Sequence, residues 1–143
     1  MKSKMLIGID PGVKNGFAKL SDSLIELSTL SFWKLINWFD SRRSFFPDME
    51  IHIEDPTANR PTFNRNVGKK VMLKIAQNVG ENKCITKLLF QYFEINGIEY
   101  HRHRPTKKSM TKLNAAQFEK VTGLKQRSSE HSRDACMLIW DRR

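Results

Sequence analysis

The chain has 143 residues, 39% of them hydrophobic, which suits one domain spanning residues 1–143 with a core of its own and excludes a disordered chain. No apolar run is long enough to span a bilayer, and the N-terminus lacks a signal peptide's apolar stretch and small-residue cleavage site, so a cytoplasmic protein is expected. With 25 Lys and Arg against 15 Asp and Glu, the formal net charge is +10, which points to a polyanionic partner held in a salt-sensitive way.

Residues 4–9 read as a short apolar strand, central in its sheet. Asp10-Pro11-Gly12 follows as a turn, and residues 15–20 return as a second strand. Leu24 to Phe32 alternates as a third, giving an antiparallel meander. Phe32 to Phe39 carries apolar residues at helical spacing, with Arg42 and Arg43 placed to favour the helix dipole. Met49, Ile51 and Ile53 alternate with Glu50, His52 and Glu54, which is a fourth strand of period two. Residues 55–70 form a polar, basic loop. It leads into a helix from about Lys70 that the pattern interrupts near Gly80. Ile85, Leu88, Leu89, Tyr92 and Phe93 make an apolar stripe, and Asn96-Gly97 stops the helix. Periodicity alone does not separate a core stripe from a dimer surface here. Ile98 to His103 is a fifth strand, residues 106–121 a basic helix, and residues 130–141 a last helix. The order β-β-β-α-β-α-β-α-α predicts an α/β domain: a mixed five-stranded sheet, three strands in a meander and the others parallel, flanked by helices. Cys84 and Cys136 sit apart among apolar neighbours without a CxxC, so both are expected as buried, reduced thiols.

Three places offer ligands. Asp10 follows the first strand and Glu54 ends the fourth. His131 and Asp134 lie on one face of the last helix at i, i+3 spacing, a face that Ala135 and Leu138 continue towards the core. Singly, each has an ordinary explanation: a turn residue, a solvated strand end, a helix-cap neighbour, a first-turn acid. Together they are an acidic cluster in a basic protein. Two carboxylates about 4 Å apart repel by roughly 4 kcal/mol at an effective dielectric near 20, a cost that a divalent cation removes. Oxygen-rich sites suit Mg²⁺ and Mn²⁺, and a pair of such ions can hydrolyse a phosphodiester.

The segments Ile7-Gly8-Ile9-Asp10-Pro11-Gly12 with Gly16, Ile51-His52-Ile53-Glu54 and His131-Ser132-Arg133-Asp134-Ala135, in this order, resemble the RuvC Holliday-junction resolvases of the RNase H-like nuclease superfamily. Asn78-Val79-Gly80, Asn96-Gly97-Ile98 and Pro105-Thr106-Lys107-Lys108 follow the same course. The resemblance implies an RNase H-like fold and a homodimer, bacterial or phage-encoded. It implies a crossover junction endodeoxyribonuclease that nicks branched DNA with two Mg²⁺ ions per site, Mn²⁺ able to substitute. Asp10 would bridge the ions, Glu54 would share the second, and His131 and Asp134 would complete the site, with Glu130 in reserve. The family often has two aspartates on the helix. With His131 at the first of these positions the site holds three carboxylates rather than four, which favours Mn²⁺. Lys107 and Lys108 match the region of a catalytically helpful lysine: Lys108 or Lys107 would approach the scissile phosphate, or both would be contacts to the DNA backbone. The loop after Glu54 is longer than in typical members and holds Arg60, Phe63, Arg65, Lys69 and Lys70. Phe63 is there either a wedge that stacks on splayed bases or a core residue. Lys112 would extend the phosphate track. Two other readings stay open: a relaxed nuclease for lesser branches or RNA/DNA hybrids, and a non-catalytic basic nucleic-acid-binding protein.

Overall fold

The computed structural model describes residues 3–58, 68–105 and 112–143. Strands β1 (Met5–Asp10), β2 (Asn15–Ser21) and β3 (Leu24–Leu30) form the expected antiparallel meander. Strand β4 (Met49–Glu54) lies parallel to β1, and β5 (Glu99–His103) parallel to β4. The order β3-β2-β1-β4-β5 puts the first strand at the centre, as its apolar run required. Ser31 ends the third strand earlier than Phe32, because its side chain caps helix α1 (Phe32–Asp40) by accepting from Lys34 N. The chain reaches β4 through α1 and a 3₁₀ segment, Arg43–Asp48.

Helix α2 (Lys69–Ile95) is continuous, so the expected interruption at Gly80 is corrected. A glycine costs a helix only about 1 kcal/mol relative to alanine. The 26 other helical positions and the packed C-terminal half outweigh that cost. Asn96 caps the helix and Gly97 follows at φ 65°, as the Asn-Gly pair predicted. The stripe at 85–93 is core: Leu89, Phe90 and Phe93 are buried against the sheet, while Leu88 is exposed. Cys84 is exposed and only Cys136 is buried, which corrects the expectation for the first thiol. The basic helix expected over 106–121 is helical at Ala115–Thr122 (α3), residues 112–114 are not, and residues 106–111 lie outside those described. Asn114 sets that start through a reciprocal capping box with Gln117. The last helix, α4 (Glu130–Trp140), matches its expected position.

The sheet separates two apolar clusters. Ile7, Ile9, Phe17, Met49, Ile51 and Ile53 pack with α1 and α2 on one face. Leu6, Ala18 and Leu20 pack with Phe118 of α3 and with Ala135, Cys136 and Ile139 of α4 on the other. Strand alternation therefore sends Asp10 and Glu54 to the α4 face.

Candidate active site

The parallel register sets Gly8 opposite His52 and Ile9 opposite Ile53. Asp10 and Glu54 are the next residues of their strands and end them side by side. The turn after Asp10 is held by Asn15, fully buried, whose side chain accepts from Gly12 N at 3.2 Å and donates to Leu30 O at 3.2 Å. The Asp-Pro-Gly segment is thus a hairpin turn, and it also fixes a buried acid.

Two glycines decide how close α4 comes. A Cβ on Gly16 would lie 1.9 Å from the carbonyl oxygen of His131, and one on Gly8 would lie 2.0 Å from that of Ala135. Any side chain at either position would push the helix off the sheet. With glycine there, the first turns of α4 lie directly over β1 and β2. Ser129 and Ser132 close a capping box at its start, and Ser129 Oγ is 2.6 Å from Thr29 Oγ1 of β3.

This packing brings the four candidate ligands together. His131 Nδ1 lies 2.9 Å from Asp10 Oδ2. Asp134 is 7% exposed, and its Oδ2 is buried without a hydrogen-bond partner among the described residues. Lys112 Nζ stands 3.3 Å from that oxygen, an ion pair that lacks hydrogen-bond geometry. Burial, and next the Asp10 charge, push the Glu54 carboxyl up to about 7. Burial also raises Asp10 against the opposing pull of His131, and raises Asp134 against that of Lys112. Three acids that all resist ionisation, one with an orphaned buried oxygen, form a donor set that fits a divalent cation. The four side chains are not drawn in to mutual coordination distance. Among the described residues, the one group of three such side chains with donor atoms all within 4.8 Å is Glu50, His52 and His101.

Glu130 is exposed on the first turn of α4 and bears on Asp134 through its charge. Lys69 and Lys70 are exposed at the first turn of α2. Arg60, Phe63, Arg65, Lys107 and Lys108 lie outside the described residues. Lys112 is turned inward to Asp134 rather than out along a phosphate track. Spacing gave no sign of that placement, which depends on Arg133: its guanidinium donates to Leu113 O at 3.0 Å and to Ser128 O at 3.1 Å, tying the segment before α3 to α4. Glu54, Asp134 and Lys112 share a cleft of about 220 Å³ with His103, Arg104 and Arg142. Sequence reasoning had placed neither arginine at the site.

No protein-family model and no curated protein sequence matches the chain. Among solved structures it resembles T. thermophilus RuvC in complex with a Holliday junction substrate, at 15% identity and a TM-score of 0.51. The likeness covers 94% of this chain and 89% of that one. The chain has the RNase H-like fold. At that identity the likeness is one of architecture. No helix among the described residues is long and apolar enough to cross a membrane.

Proposed function

We propose that this chain is a structure-selective endodeoxyribonuclease that cuts four-way DNA junctions by paired, metal-dependent nicks. The observation that carries this reading is the meeting of Asp10, Glu54, His131 and Asp134 at one end of the central strands, in a protein of net charge +10. Two Mg²⁺ ions per site, or Mn²⁺ in their place, would activate a water and steady the leaving oxygen of the phosphodiester. Asp10, Glu54 and Asp134 would hold them through oxygen. His131, fixed through Nδ1 by Asp10, would offer Nε2. Glu54 would have to give up its proton to hold a cation, so occupancy would rise with pH near neutrality. Lys112 steadies the Asp134 carboxylate and sets a positive charge where a phosphate would approach. It would do so beside Lys107 or Lys108, which lie outside the described residues. Glu130 stays outside this set.

Lys69 and Lys70 would hold the DNA backbone, with Arg60, Arg65 and Phe63 preceding them in the chain. Paired nicks call for two sites, hence a homodimer. Val71 and Val79, exposed about two turns apart on the first half of α2, offer apolar contacts for it. The T. thermophilus RuvC of similar fold, bound to a Holliday junction, supports branched DNA as the substrate class.

The test is cleavage of a synthetic four-way junction beside a matched linear duplex, simple flaps and an RNA/DNA hybrid, with Mg²⁺, Mn²⁺ or EDTA. Symmetric metal-dependent nicks on the junction alone, lost in Asp10→Asn, are expected. Equal cutting of flaps or hybrids would replace this reading with a relaxed nuclease. Binding without cutting under every metal would leave a non-catalytic DNA-binding protein.

A further inference from the structure

One strand step below Glu54, the same sheet face carries a second cluster that the proposed nuclease chemistry does not use. Glu50, His52 and Glu54 of β4 pair with Glu99, His101 and His103 of β5, rung by rung. Alternation sends all six side chains to the α4 face. The middle rungs are unlike the catalytic end, since they combine imidazoles with carboxylates.

We propose that Glu50, His52 and His101 form a separate site for a borderline divalent ion such as Zn²⁺, clipping the edge strand β5 to β4. Glu50 Oε1 lies 3.0 Å from His52 Nε2 and 3.7 Å from His101 Nε2, and all three donor atoms fall within 4.8 Å of one another. A tetrahedral ion with bonds of about 2.0–2.1 Å holds its donors about 3.4 Å apart, a spacing the three reach once the half-exposed His101 ring turns out of its 21° stack on His52 to aim Nε2 at the ion. Glu99 Oε1, 3.2 Å from His101 Nε2, stands beside the set as a fourth donor.

The surroundings suit such an ion. Lys4 Nζ pairs with the other oxygen of each acid, 3.4 Å from Glu50 Oε2 and 2.5 Å from Glu99 Oε2, and leaves both Oε1 atoms turned to the imidazoles. His52 is buried, and its Nδ1 lies 2.8 Å from His103 Nε2. That contact fixes the ring as an outer partner of a metal-bound histidine does. Binding at His52 Nε2 moves its proton to Nδ1, which then donates to His103. Arg142 Nε, 3.2 Å from the same Nδ1, must turn away, and Arg142 is exposed enough to do so. Two imidazoles with a carboxylate select Zn²⁺, Co²⁺ or Ni²⁺ over Mg²⁺ and Ca²⁺. The edge strand gains most, because β5 has a partner strand on one side only.

The experiment uses the full chain in an Asp10→Asn background, so that the strand-end acids are weakened as a competing site. Zn²⁺ binding is measured by equilibrium dialysis, and Co²⁺ by its visible absorption. One Zn²⁺ per chain is expected, with a tetrahedral Co²⁺ spectrum that millimolar Mg²⁺ does not remove. His101→Ala is expected to weaken binding by roughly 100-fold, and Glu50→Gln by at least about tenfold. His101 is half exposed, so its removal spares the core. The idea is overturned if the Asp10→Asn chain retains no Zn²⁺. It is equally overturned if both His101→Ala and Glu50→Gln bind as their parent does. Because Asp10 is already replaced, failure of the nuclease reading leaves this result intact.

Discussion

Replacing Glu54 by glutamine should make the metal-free protein more stable at pH 8. The wild-type carboxyl is held at about 7, raised from an ordinary 4.5 by burial and by Asp10. A raised acid takes up its proton more readily folded than unfolded. Its contribution to stability is therefore fully present below the unfolded value and is lost as pH rises through the folded one. At about 1.4 kcal/mol per tenfold change in proton affinity, the loss has a ceiling of about 3 kcal/mol. Glu54 is half-buried, and screening by water brings the expected loss to about 1–2 kcal/mol. Urea unfolding in EDTA across pH 5 to 9 reads this directly. Wild type should weaken between about pH 5 and pH 7.5, and Glu54→Gln should show a flatter profile. The variant should exceed wild type by about 1–2 kcal/mol at pH 8 and match it at pH 5. Mg²⁺ should then raise the wild-type midpoint more than that of the variant. Equal stabilities at pH 8, or a less stable variant, would refute the claim that Glu54 ionises at a cost.

Gly16→Ala should lower stability by about 2–3 kcal/mol, since its Cβ meets α4 backbone at 1.9 Å, and should displace His131 from Asp10. Gly80→Ala, with nothing within 4 Å, should instead raise stability by about 0.5–1 kcal/mol; thermal melts of both check the pair. Lys112→Met removes a charge that favours ionisation of Asp134, Glu54 and Asp10, so the acid limb of any pH–rate profile should move to higher pH and the rate should fall. His131→Asp supplies a fourth carboxylate in place of an imidazole and should shift relative cleavage from Mn²⁺ towards Mg²⁺, read as the ratio of rates in the two metals.

Much of this was legible in the residues alone. Period-two alternation in β4, the apolar run of β1 and the Asn96-Gly97 stop follow from local chemistry that tertiary contacts did not override. The strand ends could be paired because Asp10 and Glu54 each close a strand and the crossover between them makes those strands neighbours. Local rules misled where energies were small. Gly80 looked like a break, and the packed half of α2 carried the helix through it. Cys84 looked core by its neighbours and lies on an exposed face.

The sequence by itself determined the meander, the central place of the first strand, the acid at the end of each central strand and the helical His131–Asp134 pair, because periodicity and turn chemistry act over a few residues. Only the tertiary structure decided how near those groups lie. Gly8 and Gly16 admit α4 to the sheet through contacts between residues more than a hundred positions apart. Lys112 reaches Asp134 because Arg133 draws its segment inward. The Glu50–His52–His101 group exists because β4 and β5 pair in one register, with α2 between them in the chain. Distance, burial and charge at a site depend on that long-range packing, which no local pattern encodes.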